Sequence, residues 1–204
     1  MPAVTAPVCL IVYRPHVRFA DTRVTHPCRG RRTSFPVRVT EPSLHQRKFR
    51  VIRSLEPHGV RALLLLNAHG GNELRALVRE LQPARRILLA IANWWQAGNH
   101  DVFDEPGDHA GELETAAILH VAPHLVRARE AWGKGAERSS VFDGVRQGWA
   151  WLPRRWTQVT TDTGVGDPRA ATAEKGAQFV AQAVERISAL CNQLATADPN
   201  ALYR

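Results

Sequence analysis

Two short apolar runs joined by one helical stretch restrict this chain to very few folds. Val60 to Leu66 contains Leu63-Leu64-Leu65-Leu66, and Ile87 to Ala92 repeats the pattern. A run that is apolar at every position, not at alternate ones, suits a strand buried on both faces inside a parallel sheet. Between the runs, Gly70-Gly71 turns the chain, Leu74, Leu77, Val78 and Leu81 recur at helical spacing, and Pro83 ends the stretch. Such a strand–helix–strand unit crosses over right-handed. The predicted fold is α/β, a three-layer α/β/α sandwich with a mostly parallel central sheet.

The flanks extend this pattern. Upstream, Thr40 can cap a helix, Pro42 suits its first turn, and Leu44, Lys48, Val51, Ile52 and Leu55 follow before Pro57-His58-Gly59 stops it. Pro7 to Tyr13 is too short to span a bilayer, lacks the basic flank of a signal peptide, and reads as another buried strand. Downstream, Trp94-Trp95 to Asp108 reads as a loop over the site. Gly111 to Val121 is helical and closed by Pro123, and 139–168 is irregular with at most one strand. In the last helix Ala177, Val180, Val184, Ile187, Cys191 and Leu194 form one apolar stripe, read as core packing. No internal repeat or boundary divides the chain, so residues 1–204 are expected to form one domain.

Composition narrows the function. Cys9, Cys28 and Cys191 are few, odd in number and far apart, which suggests no disulfide framework and fits a cytoplasmic protein. The net charge of +8 is concentrated in front: between Met1 and Leu55, ten arginines and Lys48 face only Asp21 and Glu41. That balance suits phosphate backbones, with salt-sensitive binding as its sign. No aromatic ladder or nucleic-acid motif accompanies the charge, so neither nucleic acid nor membrane is an expected partner.

The chemistry sits in two motifs. Asn67-Ala68-His69-Gly70-Gly71-Asn72 follows the first apolar run, which puts His69 at the carboxyl end of a central strand, where open α/β sheets place their ligands. His109-Ala110-Gly111-Glu112-Leu113-Glu114-Thr115 offers an imidazole and two carboxylates as a helix begins. Imidazole plus carboxylate is the donor set of a hydrolytic zinc or manganese centre. Asn67 and Asn72 read as turn residues that hold the loop. Trp94 and Trp95 cannot both face one core, so one of them is expected to face a substrate pocket or a subunit contact, the alternative being plain packing.

Both motifs resemble signatures of the creatininase (creatinine amidohydrolase) family. A third match is Thr163-Gly164-Val165-Gly166-Asp167-Pro168, followed by Ala171-Thr172-Ala173-Glu174-Lys175-Gly176, and the resemblance runs from about Ser34 to Leu194. It implies a metal-dependent amidohydrolase that cleaves a non-peptide or cyclic C–N bond in a small-molecule substrate. One or two divalent ions, zinc, manganese or iron, are implied. His69 and Glu114 would be metal ligands, and His109 would protonate the leaving nitrogen. Helical spacing alone pairs His109 with Glu112, but the turn at Ala110-Gly111 need not be helical. Glu112 is then expected to be a solvated first-turn acid.

The front departs from the family. Pro15-His16-Val17-Arg18-Phe19-Ala20-Asp21-Thr22 resembles the stretch leading to the aspartate that bridges two metals, which makes Asp21 a candidate ligand. The family's Glu-x-His pair would fall between Leu10 and Tyr13, where no ligand exists. Phe35-Pro36-Val37-Arg38-Val39-Thr40 resembles a Phe-Pro-Gly-Thr segment without its glycine, so residues 1–40 read as a degenerate or truncated version of the family's front. Gly71 stands where creatininase proper has a glutamate ligand, which argues against creatinine as substrate. Three readings follow: the amidohydrolase, a pseudoenzyme that lacks the front ligands, and a creatininase-like peptidase in mycofactocin-type redox-cofactor maturation. Family members form rings and this chain has six tryptophans, so a homo-oligomer is expected.

Overall fold

The computed structural model describes the backbone of residues 8–13 and 44–203, with side chains from Arg50 onward. Three strands, β1 (Val8–Tyr13), β2 (Ala62–Asn67) and β3 (Leu88–Asn93), form a parallel sheet in the order β1-β2-β3. Ala62 stands beside Leu88 and Asn67 beside Asn93, so the two apolar runs are adjacent and in register. The strands start later than the apolar runs, because Val60 and Arg61 approach the sheet and Leu88 N donates to Arg61 O at 2.9 Å before the ladder begins.

Helices α1 (Leu44–Leu55) and α2 (Leu74–Leu81) both cover one face. A sequential strand order with right-handed crossovers requires this, since each connection rises on the same side. Ile52 of α1 and Leu74, Leu77 and Leu81 of α2 pack with Leu63, Leu65, Ile87 and Leu89, all buried. Strand alternation turns Ala62 and Leu64 to the opposite face, where they too are buried. This double burial is what the unbroken leucine run demanded. Gly59, at φ +74°, ends the turn after α1, as its sequence position suggested.

The chain forms two compact units, the sheet unit (Met1–Asn93 with Ala189–Arg204) and a second of Trp94–Ser188. The second unit holds α3 (Glu112–Val121), the short α4 (Asp143–Arg146) and α5 (Trp156–Val159), and most of α6 (Ala173–Thr196). Its core is Phe179, fully buried and ringed by Phe103, Leu113, Ala116, Ala171 and Ala183. Here the sequence reading is corrected. The buried line of α6 in this unit is Gly176, Phe179 and Ala183, while Val184, assigned to the core stripe, is 58% exposed. Gly176 sets that rotation, because a Cβ there would overlap the Ala116 carbonyl of α3. The 94–108 segment is not a plain loop either: short 3-10 turns at Trp94–Gln96 and His100–Val102 carry Phe103 into the core.

Candidate active site

His69 lies just past the carboxyl end of β2, as its motif requires. Asn67 holds the loop that follows. Its Oδ1 accepts from Asn72 Nδ2 at 2.8 Å and from His69 N at 3.3 Å, and its Nδ2 donates to Asn93 Oδ1 at 2.9 Å. The His69 ring folds back over Gly71, whose N–H donates to Nδ1 at 2.9 Å. A Cβ on Gly71 would sit 3.1 Å from that ring, so glycine suits the position. With Nδ1 used as an acceptor, the neutral ring carries its proton on Nε2. Ligation of an ion through Nε2 therefore needs the Gly71 contact to open and the tautomer to switch.

In the second unit the other two motifs make one local structure. His109 pairs antiparallel with Val165: His109 N donates to Val165 O at 3.0 Å, and Val165 N to His109 O at 2.7 Å. Beside this bridge three glycine backbones meet. A Cβ on Gly107 would lie 2.8 Å from Gly111 Cα, and one on Gly166 would overlap Gly107. Gly107 (φ +76°) and Gly166 (φ +107°) also hold positive φ angles that side chains disfavour.

After His109 the chain turns through Ala110 at φ +50° and extended Gly111 before α3 starts. His109 and Glu112 thus share no helix face. Glu114 reaches back so that Ala110 N donates to its Oε2 at 2.7 Å, and Thr115 Oγ1 donates to Ala110 O at 3.3 Å. The Glu-Thr pair of the motif therefore caps its own turn, much as a capping box does. Oε1 of Glu114 accepts no hydrogen bond among the described residues.

Two features escaped the sequence. Trp156 of α5 packs on the His109 ring with centroids 4.7 Å apart at 45°. Arg154 anchors that segment, pairing with Asp108 and lying 5.5 Å over the Trp156 ring. No local pattern could have placed a tryptophan 47 residues on beside His109. The second is a correction: Glu112, expected to be solvated, is fully buried and ion-paired with Lys175. Trp94 and Trp95 both pack against the Phe179 cluster, Trp94 edge-on with centroids 5.9 Å apart. Asp21 lies outside the described residues.

Nearby charges follow simple causes. Arg169, hydrogen-bonded to Asp167, lowers that carboxyl to a pKa of about 2. The Thr160 hydroxyl, then the Gly135 N–H, hold Asp162 below the usual carboxylate range. A cleft of about 220 Å³ lies at the other end of the strands from His69, lined by Val60, Arg61, Arg86, Leu88 and Leu194. It contains none of the motif residues.

The family model for creatinine amidohydrolases matches residues 29–191, which is most of the chain. The chain belongs to the creatininase family. Among solved structures, a Bacteroides fragilis protein described as a creatinine amidohydrolase is 35% identical with a TM-score of 0.71, over 78% of this chain and 63% of that one. A creatininase variant complexed with creatine is 21% identical with a TM-score of 0.58, over 75% of this chain and 64% of that one, a likeness of fold. Two curated relatives are named mycofactocin precursor peptide peptidase. The Mycobacterium ulcerans protein is 33% identical over 60% of this chain, and the Mycobacterium tuberculosis protein 34% over 61%. In each case the match spans 45% of the relative, so this chain covers under half of their length.

Proposed function

We propose that this chain hydrolyses an amide-type C–N bond, and that its substrate is a peptide in preference to creatinine. One observation carries the proposal: the His109–Thr115 turn is closed by Glu114 and seated on Val165, presenting a partly exposed imidazole against Trp156. Amide cleavage needs a proton delivered to the departing nitrogen, and a fixed imidazole supplies it near neutral pH. Trp156 shields one face of that ring from water and limits its rotation. The curated relatives named as peptidases, and glycine at position 71, favour a peptide over the compact creatinine ring.

A divalent ion belongs to the same proposal. Creatininase structures include a manganese form and a zinc–zinc form. His69 and Glu114 would help to hold such an ion, which would activate a bound water and polarise the scissile carbonyl. Zinc takes three or four protein ligands, and among the described residues no three His, Cys, Asp or Glu side chains form a metal-holding group. Asp21 is the proposed further ligand.

The test is incubation of the purified chain, with and without added zinc or manganese, with mycofactocin precursor peptide and with creatinine. Metal content and products are read by mass spectrometry. Peptide cleavage with bound metal supports the proposal. Cleavage of creatinine alone would reverse the substrate preference, and neither metal nor product would establish the pseudoenzyme. A cytoplasmic location is part of the proposal; no described helix is long and apolar enough to cross a membrane.

A further inference from the structure

Glu112 is the most unusual acid in the described chain. It is fully buried, and both its oxygens are engaged. Oε2 accepts from the backbone N–H groups of Asp104 (2.9 Å) and Glu105 (3.0 Å). Oε1 pairs with Lys175 Nζ, which also reaches Asp104 Oδ2 at 3.2 Å. Burial of a carboxylate is costly unless it is paired and hydrogen-bonded, and here both conditions are met. The Glu112 contact lifts the Lys175 ammonium above its ordinary range, so the lysine stays charged at any working pH.

The topology of these bonds matters more than their number. The amides of Asp104 and Glu105 begin the segment that carries His109, and Glu112 ends it. Leu113 N adds a bond to Pro106 O at 3.0 Å. One carboxylate thus ties both ends of a nine-residue loop (104–112) together, with His109 inside it. The charge that makes this possible comes from the third motif, whose Lys175 neutralises the buried acid. We propose that Glu112 and Lys175 are positioning residues that fix the His109 turn against Trp156. This rests on the reading of His109 as the proton donor, but its test does not need turnover.

The experiment follows the ring protons of His109 by NMR in histidine-labelled protein, assigned by the peak lost in His109→Ala. The Trp156 ring current displaces that resonance, and Trp156→Ala gives its position without the indole. In Glu112→Gln and Lys175→Met, the His109 peak is expected to move toward the Trp156→Ala position. Lys175→Arg should restore it, and the peaks of His120 and His124 at the far end of α3 should stay fixed. An unmoved His109 peak in the folded variants overturns the proposal. So does a common shift of His109, His120 and His124, which would make the pair a general brace. Should Glu112→Gln fail to fold, Lys175→Met decides, because Glu112 keeps its two amide donors there; failure of both to fold also overturns it. A chain without hydrolytic activity but with the expected shifts would refute the proposed function and leave this inference standing.

Discussion

Phe179→Ala and Val184→Ala, compared side by side, decide the rotation of α6. Phe179 is fully buried, edge-on or tilted to Trp94, His100 and Phe103 at 5.4–5.9 Å between centroids. A phenylalanine buries about 200 Å², which at roughly 25 cal/mol per Å² is about 5 kcal/mol. Alanine keeps part of that, but the flat rings around the vacancy close poorly, so a loss of about 3–5 kcal/mol is expected. At about 2–4 °C per kcal/mol for a chain of this size, melting should fall by roughly 6–20 °C. Val184 is mostly exposed, so its truncation should stay within about 0.5 kcal/mol, and alanine's helix propensity offsets even that. Thermal melts followed by circular dichroism at one pH give both numbers. A larger loss at Val184 than at Phe179 would refute the assigned rotation and restore the apolar stripe read from sequence.

Four further outcomes are expected. His69→Ala should abolish any bound divalent metal, whereas His109→Ala should keep it and lose turnover; metal retained without His69 would remove that residue from the site. Gly166→Ala should cost more than about 2 kcal/mol, since it combines a positive φ with overlap on Gly107, and a melting temperature within 2 °C of wild type, roughly 1 kcal/mol or less, would contradict the glycine packing. Asp167 titrates near 2 in the fold, below its unfolded value, so its contribution is complete above about pH 4. The stability gap between wild type and Asp167→Asn should therefore hold at neutral pH and shrink as pH falls toward 2; a gap that grows on acidification contradicts the pairing with Arg169. Trp149 and Trp151, 76% and 82% exposed, are expected to mediate self-association, and sedimentation of a micromolar monomer would exclude it.

What the sequence revealed, and what it hid, follows from the range of the forces involved. The sheet was readable because burial on both faces of β2 forces every residue from Ala62 to Leu66 to be apolar, a constraint confined to neighbours. The ends of α1 and α2 were readable from Pro57, Gly59 and Pro83 for the same local reason. The α6 stripe was misjudged because Phe179 and Val180 are both apolar and adjacent. Only contact with Ala116, through Gly176, selects between them. Glu112 was misread because a first-turn acid is ordinarily solvated, and its partner Lys175 stands 63 residues away. Trp156 was missed on the same ground, since it lies 47 residues from His109.

The seam of Gly107, Gly111 and Gly166 has a consequence for how the site responds to its surroundings. Backbone against backbone, it contains nothing that titrates, oxidises or is screened by salt. The Arg154–Asp108 pair is exposed to solvent, and salt weakens it. Shifts in solution conditions should therefore reach the Trp156 side of His109 first, while the Val165 side keeps its place. The imidazole stands between an environment-sensitive wall and an inert one, and ionic strength becomes a control on one side of it alone.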